Sequence, residues 1–373
     1  MSASKASQPT ESTQPSSAAS NETQAAAAQP DAPVEASSAP TAAEEAPIEA
    51  QGSSDEVSSE TDSALGSEYD ESTYTASLSS SITAYQYEHG RRYHANHAVN
   101  YDLPNDENEQ ERMDLQYHAL RLAFGDKLFF APIDDSPATI LDIGTGTGIW
   151  VIDIAEALPD TQIIGTDLSP IQPGWVPPNA KFEVDNAELP WTFPADHFDL
   201  VHTRIMNAFV QDWNRLMEQS YRHLKPGGWV ECHELSVDVR SDDGTLPEDS
   251  HIHQWCLNEG EAWRKIGLSV TLSGEEVADW MEKAGFVNVT IKRFKLPIGT
   301  WPKDKQLRET GAFQLVAMLE GIQGLTIAPW VRHLGWNEQE VEVFVAKVRN
   351  EWKSGKFHTY FPLYAVYGQK PRA

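Results

Sequence analysis

The stretch "ILDIGTGTGIW", residues 140–150, constrains the fold more than any other part of the chain. An apolar run, one acid, three alternating glycines and a second apolar run are what a buried strand needs to turn tightly into a helix. The same spacing excludes one ligand. A dinucleotide-binding loop reads G-x-G-x-x-G, and its third glycine would fall where Ile149 stands. The order is instead Asp142, Gly144, Gly146, Gly148, with Thr145 inside the turn. A carboxylate at the mouth of such a loop favours a ligand carrying ammonium or sulfonium charge and disfavours pyrophosphate.

The surrounding segments repeat the strand-then-helix rhythm. "ATILDIG" reads as a buried strand, "IWVIDIAEALP" as a helix ended by Pro159, "QIIGTDLS" and "KFEVDNA" as strands. "FDLVHTR" is a fourth strand, "WNRLMEQSYRHLKPGG" a helix stopped by its Pro-Gly-Gly turn, and "WVECHEL" a fifth strand. This alternation predicts an α/β fold, a parallel sheet wrapped on both faces by helices through right-handed crossovers. A helix precedes the glycine loop. From Asn105 acids crowd its first turn, and Met113, Leu115, Leu120, Leu122 and Phe124 fall at roughly helical spacing.

Beyond Ser236 the rhythm loosens through a polar loop and a helix carrying Trp255 and Trp263. It resumes with a Ser273-capped helix, the strand "VNVTIKRFKLPIG", and a helix at "NEQEVEVFVAKVRNEW" whose Asn337 and Glu340 form a cap signature. The aromatic closing segment "HTYFPLYAVYGQKP" predicts a last strand near the sheet edge.

In an open parallel sheet, ligands sit beyond the carboxyl ends of the strands, beside the first strand and its loop. Asp167 ends the second strand nineteen residues after Gly148, where an acid accepts from ribose hydroxyls, and Leu168 stands beside it. Asp185 and Asn186 end the third strand with groups suited to an adenine edge. A nucleoside joined to a positively charged, amino-acid-like group describes S-adenosylmethionine.

The order D-x-G-x-G-x-G, the acid after the second strand, the acid-amide pair after the third and "HLKPGGWVE" before the fifth resemble the class I S-adenosylmethionine-dependent methyltransferases. More narrowly, "YDLPNDENEQERMDL", "GTGTGIWVIDIAE", "GTDLSPIQP", "LKPGGWVECHE" and "HTYFPLYAVYGQKP" resemble the fungal LaeA-like methyltransferases, a group containing a global regulator of secondary metabolism. The resemblance spans about residues 88 to 371. It implies a Rossmann-like fold with a seven-stranded, mostly parallel sheet whose last strand is antiparallel. It implies S-adenosylmethionine held by Asp142, Gly144, Gly146, Asp167 and Asp185. It also puts "YDLPNDE" over the cofactor, with Tyr93, Tyr101 and Arg112 near the methionyl end. Thr145 departs from the Cys of many relatives, a small polar substitute that leaves the turn intact.

Methyl transfer from a sulfonium needs alignment above all. Where the acceptor is a hydroxyl, a base helps, and His202, His233 and Glu234 are candidates by their place at the ends of strands four and five. The expected acceptor is a small secondary-metabolism-type molecule. The alternative is a regulator acting through protein partners in the nucleus, with methyl transfer secondary. No metal is expected: "HIHQWC" with Cys232 and His233 lacks any standard zinc spacing. A nicotinamide dehydrogenase is disfavoured by Ile149 and Asp142.

Composition divides the chain. Residues 1–80 hold 14 acids against one base, Lys5, with no Trp or Phe, which leaves −15 of the total −28 for the rest. Such a segment buries too little apolar surface to offset its ordering entropy, so residues 1–81 are expected to be a disordered acidic tail and 82–373 the catalytic domain. Acidity in both parts disfavours direct binding to nucleic acid or anionic lipid. The tail is expected to solvate, with recruitment of other proteins the alternative. No uninterrupted apolar run approaches the roughly 18 residues of a membrane span, and no secretory signal is visible. Two cysteines, Cys232 and Cys256, fit a reducing compartment, cytoplasmic or nuclear.

Overall fold

The computed structural model describes residues 47–49, 85–94, 102–134 and 136–372. The expected tail and Tyr101 lie outside the described residues, apart from residues 47–49, where Ile48 N–H donates to Asp242 and Glu49 pairs with Lys303.

In chain order the elements are β1 (Gln86–Glu88), β2 (Arg91–Tyr93), α1 (Glu107–Ala123), β3 (Thr139–Ile143), α2 (Ile149–Ala157), β4 (Gln162–Asp167) and β5 (Ala180–Val184). There follow β6 (Phe198–Arg204), α3 (Trp213–His223), β7 (Leu224–Leu235), α4 (His251–Arg264), α5 (Gly274–Ala284), β8 (Val287–Ile298), α6 (Lys305–Pro329), α7 (Glu338–Lys353) and β9 (Thr359–Gln369). A π-helical turn, Trp330–Leu334, continues α6.

The main sheet has seven strands in the order β5-β4-β3-β6-β7-β9-β8. Strands β3 to β7 pair in parallel, whereas β9 inserts antiparallel between β7 and β8. This is the Rossmann-like class I methyltransferase arrangement, and the closing segment lies one strand in from the edge. Strand alternation sorts the core. Leu141, Ile143, Val201 and Val230 pack with Met217 of α3 and Val277 and Met281 of α5. Ile140, Ile163 and Leu200 face the other way, onto Trp150, Val151 and Ile154 of α2 and Tyr117 of α1. Helices therefore cover both faces.

Three features differ from the sequence expectation. The helix before "KPGG" ends at His223, and Leu224 to Gly228 already belong to β7, because the residue before Pro226 is disfavoured in helical conformation. Residues 86–93 form a small antiparallel hairpin. The largest omission is α6, at 25 residues. Its glycines, threonines and all-round apolar surface give no single stripe, because it is buried against α1, α7 and β8. With the π turn it is long and apolar enough to cross a membrane, yet more than half of it is buried inside the protein, as befits a core helix. Gly321 lets Arg112 of α1 cross it closely: a Cβ there would stand 1.9 Å from Arg112 Cδ.

Candidate active site

The loop after β3 turns on three glycines with positive φ, 67° at Gly144, 59° at Gly146 and 81° at Gly148, a region that side-chain-bearing residues avoid. Each glycine has a separate neighbour. A Cβ on Gly144 would meet Met206 Sδ at 2.1 Å, and one on Gly148 would meet the Phe182 ring at 2.4 Å. Gly146 instead donates its N–H to Asp167 Oδ2 at 2.8 Å. Ser169 N–H donates to Asp167 Oδ1 at 2.9 Å, so two backbone donors orient the carboxylate at the end of β4. Burial pushes the Asp167 carboxyl up to about 6 against the pull of those donors, and Asp142 adds a repulsive contribution.

The ends of β3 to β7 open into one cavity of about 210 Å³, roofed by α1, α4 and α6. Because β3, β4 and β5 form one side of the sheet and β6 and β7 the next, the cavity has two chemically different lobes. Over β3 to β5 it is polar, lined by Gly144, Gly146, Thr147, Asp167, Leu168, Asp185 and Asn186, with Glu109, Arg112, Gln116 and Tyr117 from α1. Toward the end of β7, α4, α6 and β9 it is largely apolar, lined by Phe209, Leu235, Val237, Trp255, Trp263, Met318 and Phe361, with Glu259 among them, while Arg204 and Asn207 line it at the end of β6.

The α1 residues had been readable from spacing: positions 109, 112, 113, 116, 117 and 120 repeat at three and four, the signature of one helical face. Arg112 Nε donates to Glu109 Oε1 at 2.8 Å and Nη1 to Gln116 at 3.1 Å. Burial raises the Glu109 carboxyl, which Arg112 partly offsets. Arg204 lies with its guanidinium 4.6 Å from the Tyr117 ring centre. Among the cavity-lining atoms, Glu109 Oε2, Arg204 Nη1 and Glu259 Oε1 are buried without a hydrogen bond. Such groups are costly unless something else satisfies them.

Asp142 corrects the sequence expectation of a direct ligand contact. It is 2% exposed, does not line the cavity, and accepts from His202 Nδ1 at 2.7 Å. His202 Nε2 lies 3.3 Å from His233 Nδ1, and His233 Nε2 lies 2.6 Å from Glu231 Oε1. Glu231 in turn accepts the N–H groups of Phe130 and Ala131. Asp142, His202 and Glu231 are paired register partners on β3, β6 and β7 and point to one face. Each of the three contacts needs one proton, and the two rings and two carboxyls share them. Burial lowers the His202 pKa against the pull of Asp142. Trp150 stacks on His202 at 3.8 Å and seals the chain from solvent.

His202, His233 and Glu234 are therefore not brought to the cavity. The histidines are spent on this chain, and Glu234 accepts the N–H groups of Met206 and Asn207, holding the loop after β6. Gly148 serves Phe182 packing, and Thr145 is buried with its N–H on Thr166 O. Tyr93 is also buried away from the cavity, with Arg332 over its ring at 5.4 Å, where it anchors the hairpin. Of the predicted residues, Gly144, Gly146, Asp167, Leu168, Asp185, Asn186 and Arg112 come together around the cavity.

A family profile described as a methyltransferase domain matches residues 110–291. The methyltransferase pytC of Aspergillus terreus is 42% identical over 296 residues, 79% of this chain and 91% of that protein. The secondary metabolism regulator LAE1 of Cochliobolus heterostrophus is 34% identical over 76% of this chain and 94% of its own length. Among solved structures, phosphoethanolamine N-methyltransferase 2 of Haemonchus contortus matches with a TM-score of 0.41 and 19% identity, covering 69% of this chain and 53% of that one. Sheet order, glycine loop and sequence similarity together show that the chain belongs to the LaeA-like class I methyltransferases and is an S-adenosylmethionine-dependent enzyme of that family.

Proposed function

We propose that the protein methylates a small, largely apolar acceptor of the secondary-metabolism type. The observation that carries this reading is one cavity with a polar lobe over β3 to β5 and an aromatic lobe toward β7, α4, α6 and β9. S-adenosylmethionine supplies an activated sulfonium methyl group. The chain's own residues hold and align. Asp167 accepts ribose hydroxyls with the lone pairs that Gly146 and Ser169 leave free. Asp185 and Asn186 face the adenine edge. Arg204 Nη1 meets the methionyl carboxylate, and Glu109, held by Arg112, meets its ammonium group; Arg204 Nη1 and Glu109 Oε2 make no hydrogen bond within the protein, although Arg91 stands 4.0 Å from the latter. Asp142 acts at one remove, fixing β3 through His202.

The acidic balance of the chain supports action away from nucleic acid, and two buried, free cysteines support a reducing compartment, cytoplasmic or nuclear. Similarity to the secondary metabolism regulators supports a second reading, in which regulatory protein partners receive the output. Metabolite profiling with a labelled methyl donor tests both, comparing cells that express the chain with cells that express Asp167→Ala. Labelled small molecules confined to the wild type are expected. Label on protein alone favours the regulator, and no label in either fraction overturns both.

A further inference from the structure

The apolar lobe contains one group that its composition does not explain. Among the lining residues contributed by the end of β7, α4, α6 and β9, Glu259 is ionisable and the others are Leu, Val, Trp, Met or Phe. Its side chain is 3% exposed. Oε2 accepts Trp263 Nε1 at 3.0 Å, one helical turn on, while Oε1 makes no hydrogen bond of good geometry; Trp330, whose Nε1 is likewise unpaired, and Thr326 lie close enough to pull the carboxyl's pKa down against burial. Thr326 Oγ1 is committed elsewhere, donating to Ile322 O at 2.6 Å and accepting from Trp255 Nε1 at 2.8 Å. A buried carboxyl with a spare oxygen at a cavity wall is costly for folding and useful for recognition.

We propose that Glu259 sets acceptor specificity: its carboxyl hydrogen-bonds the one polar group of a flat, neutral and otherwise apolar acceptor, while Trp255, Trp263 and Phe361 enclose the rings. The inference rests on the reading of this lobe as the acceptor's. Burial pushes the Glu259 carboxyl up to about 8, so at neutral pH it is a protonated acid, able to donate through one oxygen and accept through the other. A hydroxyl or carbonyl satisfies it. A bare hydrocarbon leaves it unpaired, and an anionic acceptor is driven into an apolar wall without a counter-charge.

The test uses the full-length chain saturated with S-adenosylhomocysteine and three flat probes: 2-naphthol, naphthalene and 2-naphthoate. Quenching of tryptophan fluorescence reads binding, since Trp255 and Trp263 line the lobe. The wild type is expected to bind 2-naphthol about tenfold more tightly than naphthalene, the worth of one buried hydrogen bond, and 2-naphthoate more weakly still. Glu259→Leu removes the preference for the naphthol, and Glu259→Gln, whose amide both donates and accepts, retains most of it. Where Leu prevents folding, Glu259→Met, closer in length, takes its place. Calorimetric titration with S-adenosylhomocysteine gives an independent readout of the donor lobe, expected unchanged in every variant. A wild type that binds the homocysteine but shows no preference among the probes, or a Leu or Met variant that keeps the preference, overturns the role of Glu259. A wild type that does not bind the homocysteine overturns the placement of donor and acceptor itself.

Discussion

Asp142 Oδ1 accepts a hydrogen bond from His202 Nδ1 at 2.7 Å, so the acid of the glycine-loop motif is turned into the sheet and away from the cavity. The contact continues from His202 Nε2 to His233 Nδ1 at 3.3 Å and from His233 Nε2 to Glu231 Oε1 at 2.6 Å. The relation divides the motif into two jobs: the glycines shape the ligand wall, and the acid ties β3 to β6.

A neutral replacement at Asp142 separates these jobs. Asp142→Asn keeps an acceptor for His202 but weakens a buried carboxylate–imidazole hydrogen bond, and is expected to cost about 1–3 kcal/mol of stability in urea titration. Affinity for S-adenosylhomocysteine falls less than it does in Asp167→Asn. Equal stability to the wild type, or a loss of affinity matching the Asp167 variant, contradicts the division.

Asp167 makes cofactor binding pH-dependent. In the ligand-free protein its carboxyl titrates at about 6, above its ordinary 3.8. The sign for folding follows: this contribution to ligand-free stability is present below 3.8 and is lost as the pH rises through about 6. Binding runs the other way, because ribose hydroxyls donate to the ionised form. Affinity for S-adenosylhomocysteine is expected to hold above pH 7 and to fall by up to about tenfold per unit once the pH drops below about 6. Calorimetry from pH 5 to 8 checks this, with Asp167→Asn giving a flat profile; a wild type equally flat removes Asp167 from the ligand.

Gly321 of α6 offers a test in which stability and binding part company. Ala is the better helix former by up to about 1 kcal/mol, yet its methyl group would strike the Arg112 stem, 1.9 Å from Cδ. Arg112 must then swing and release Glu109. Gly321→Ala is expected to keep the fold, by circular dichroism and melting temperature, while weakening S-adenosylhomocysteine about tenfold, the worth of one charge-assisted contact. Unaltered affinity argues against the α1 face as part of the donor lobe.

Much of this architecture was legible in the sequence because strand and helix periods are local. The alternation from "ATILDIG" to "WVECHEL", the Ser273 cap and the amphipathic α7 with its Asn337 and Glu340 cap all appear as read. The helix α6 was not legible, since burial on several sides removes the polar stripe that makes a helix visible. At the site, Gly144, Gly146, Asp167, Asp185 and Asn186 were legible because strand ends point to one sheet edge. The partnership of Asp142 with His202 depends on strands 60 residues apart in sequence, which no local pattern records. A hint existed nonetheless: acids and histidines at alternate positions in "ILDIG", "LVHTR" and "VECHEL" put polar groups on one buried face, where they must pair with each other.

The most direct test of the central claim, that the donor lobe lies over β3 to β5, is calorimetric titration of the wild type and Asp167→Ala with S-adenosylhomocysteine at pH 7.5. The structure predicts one site in the wild type and a loss of at least about thirtyfold in the variant, as two charge-assisted hydroxyl contacts disappear. Binding of equal strength in a folded Asp167→Ala variant would contradict it.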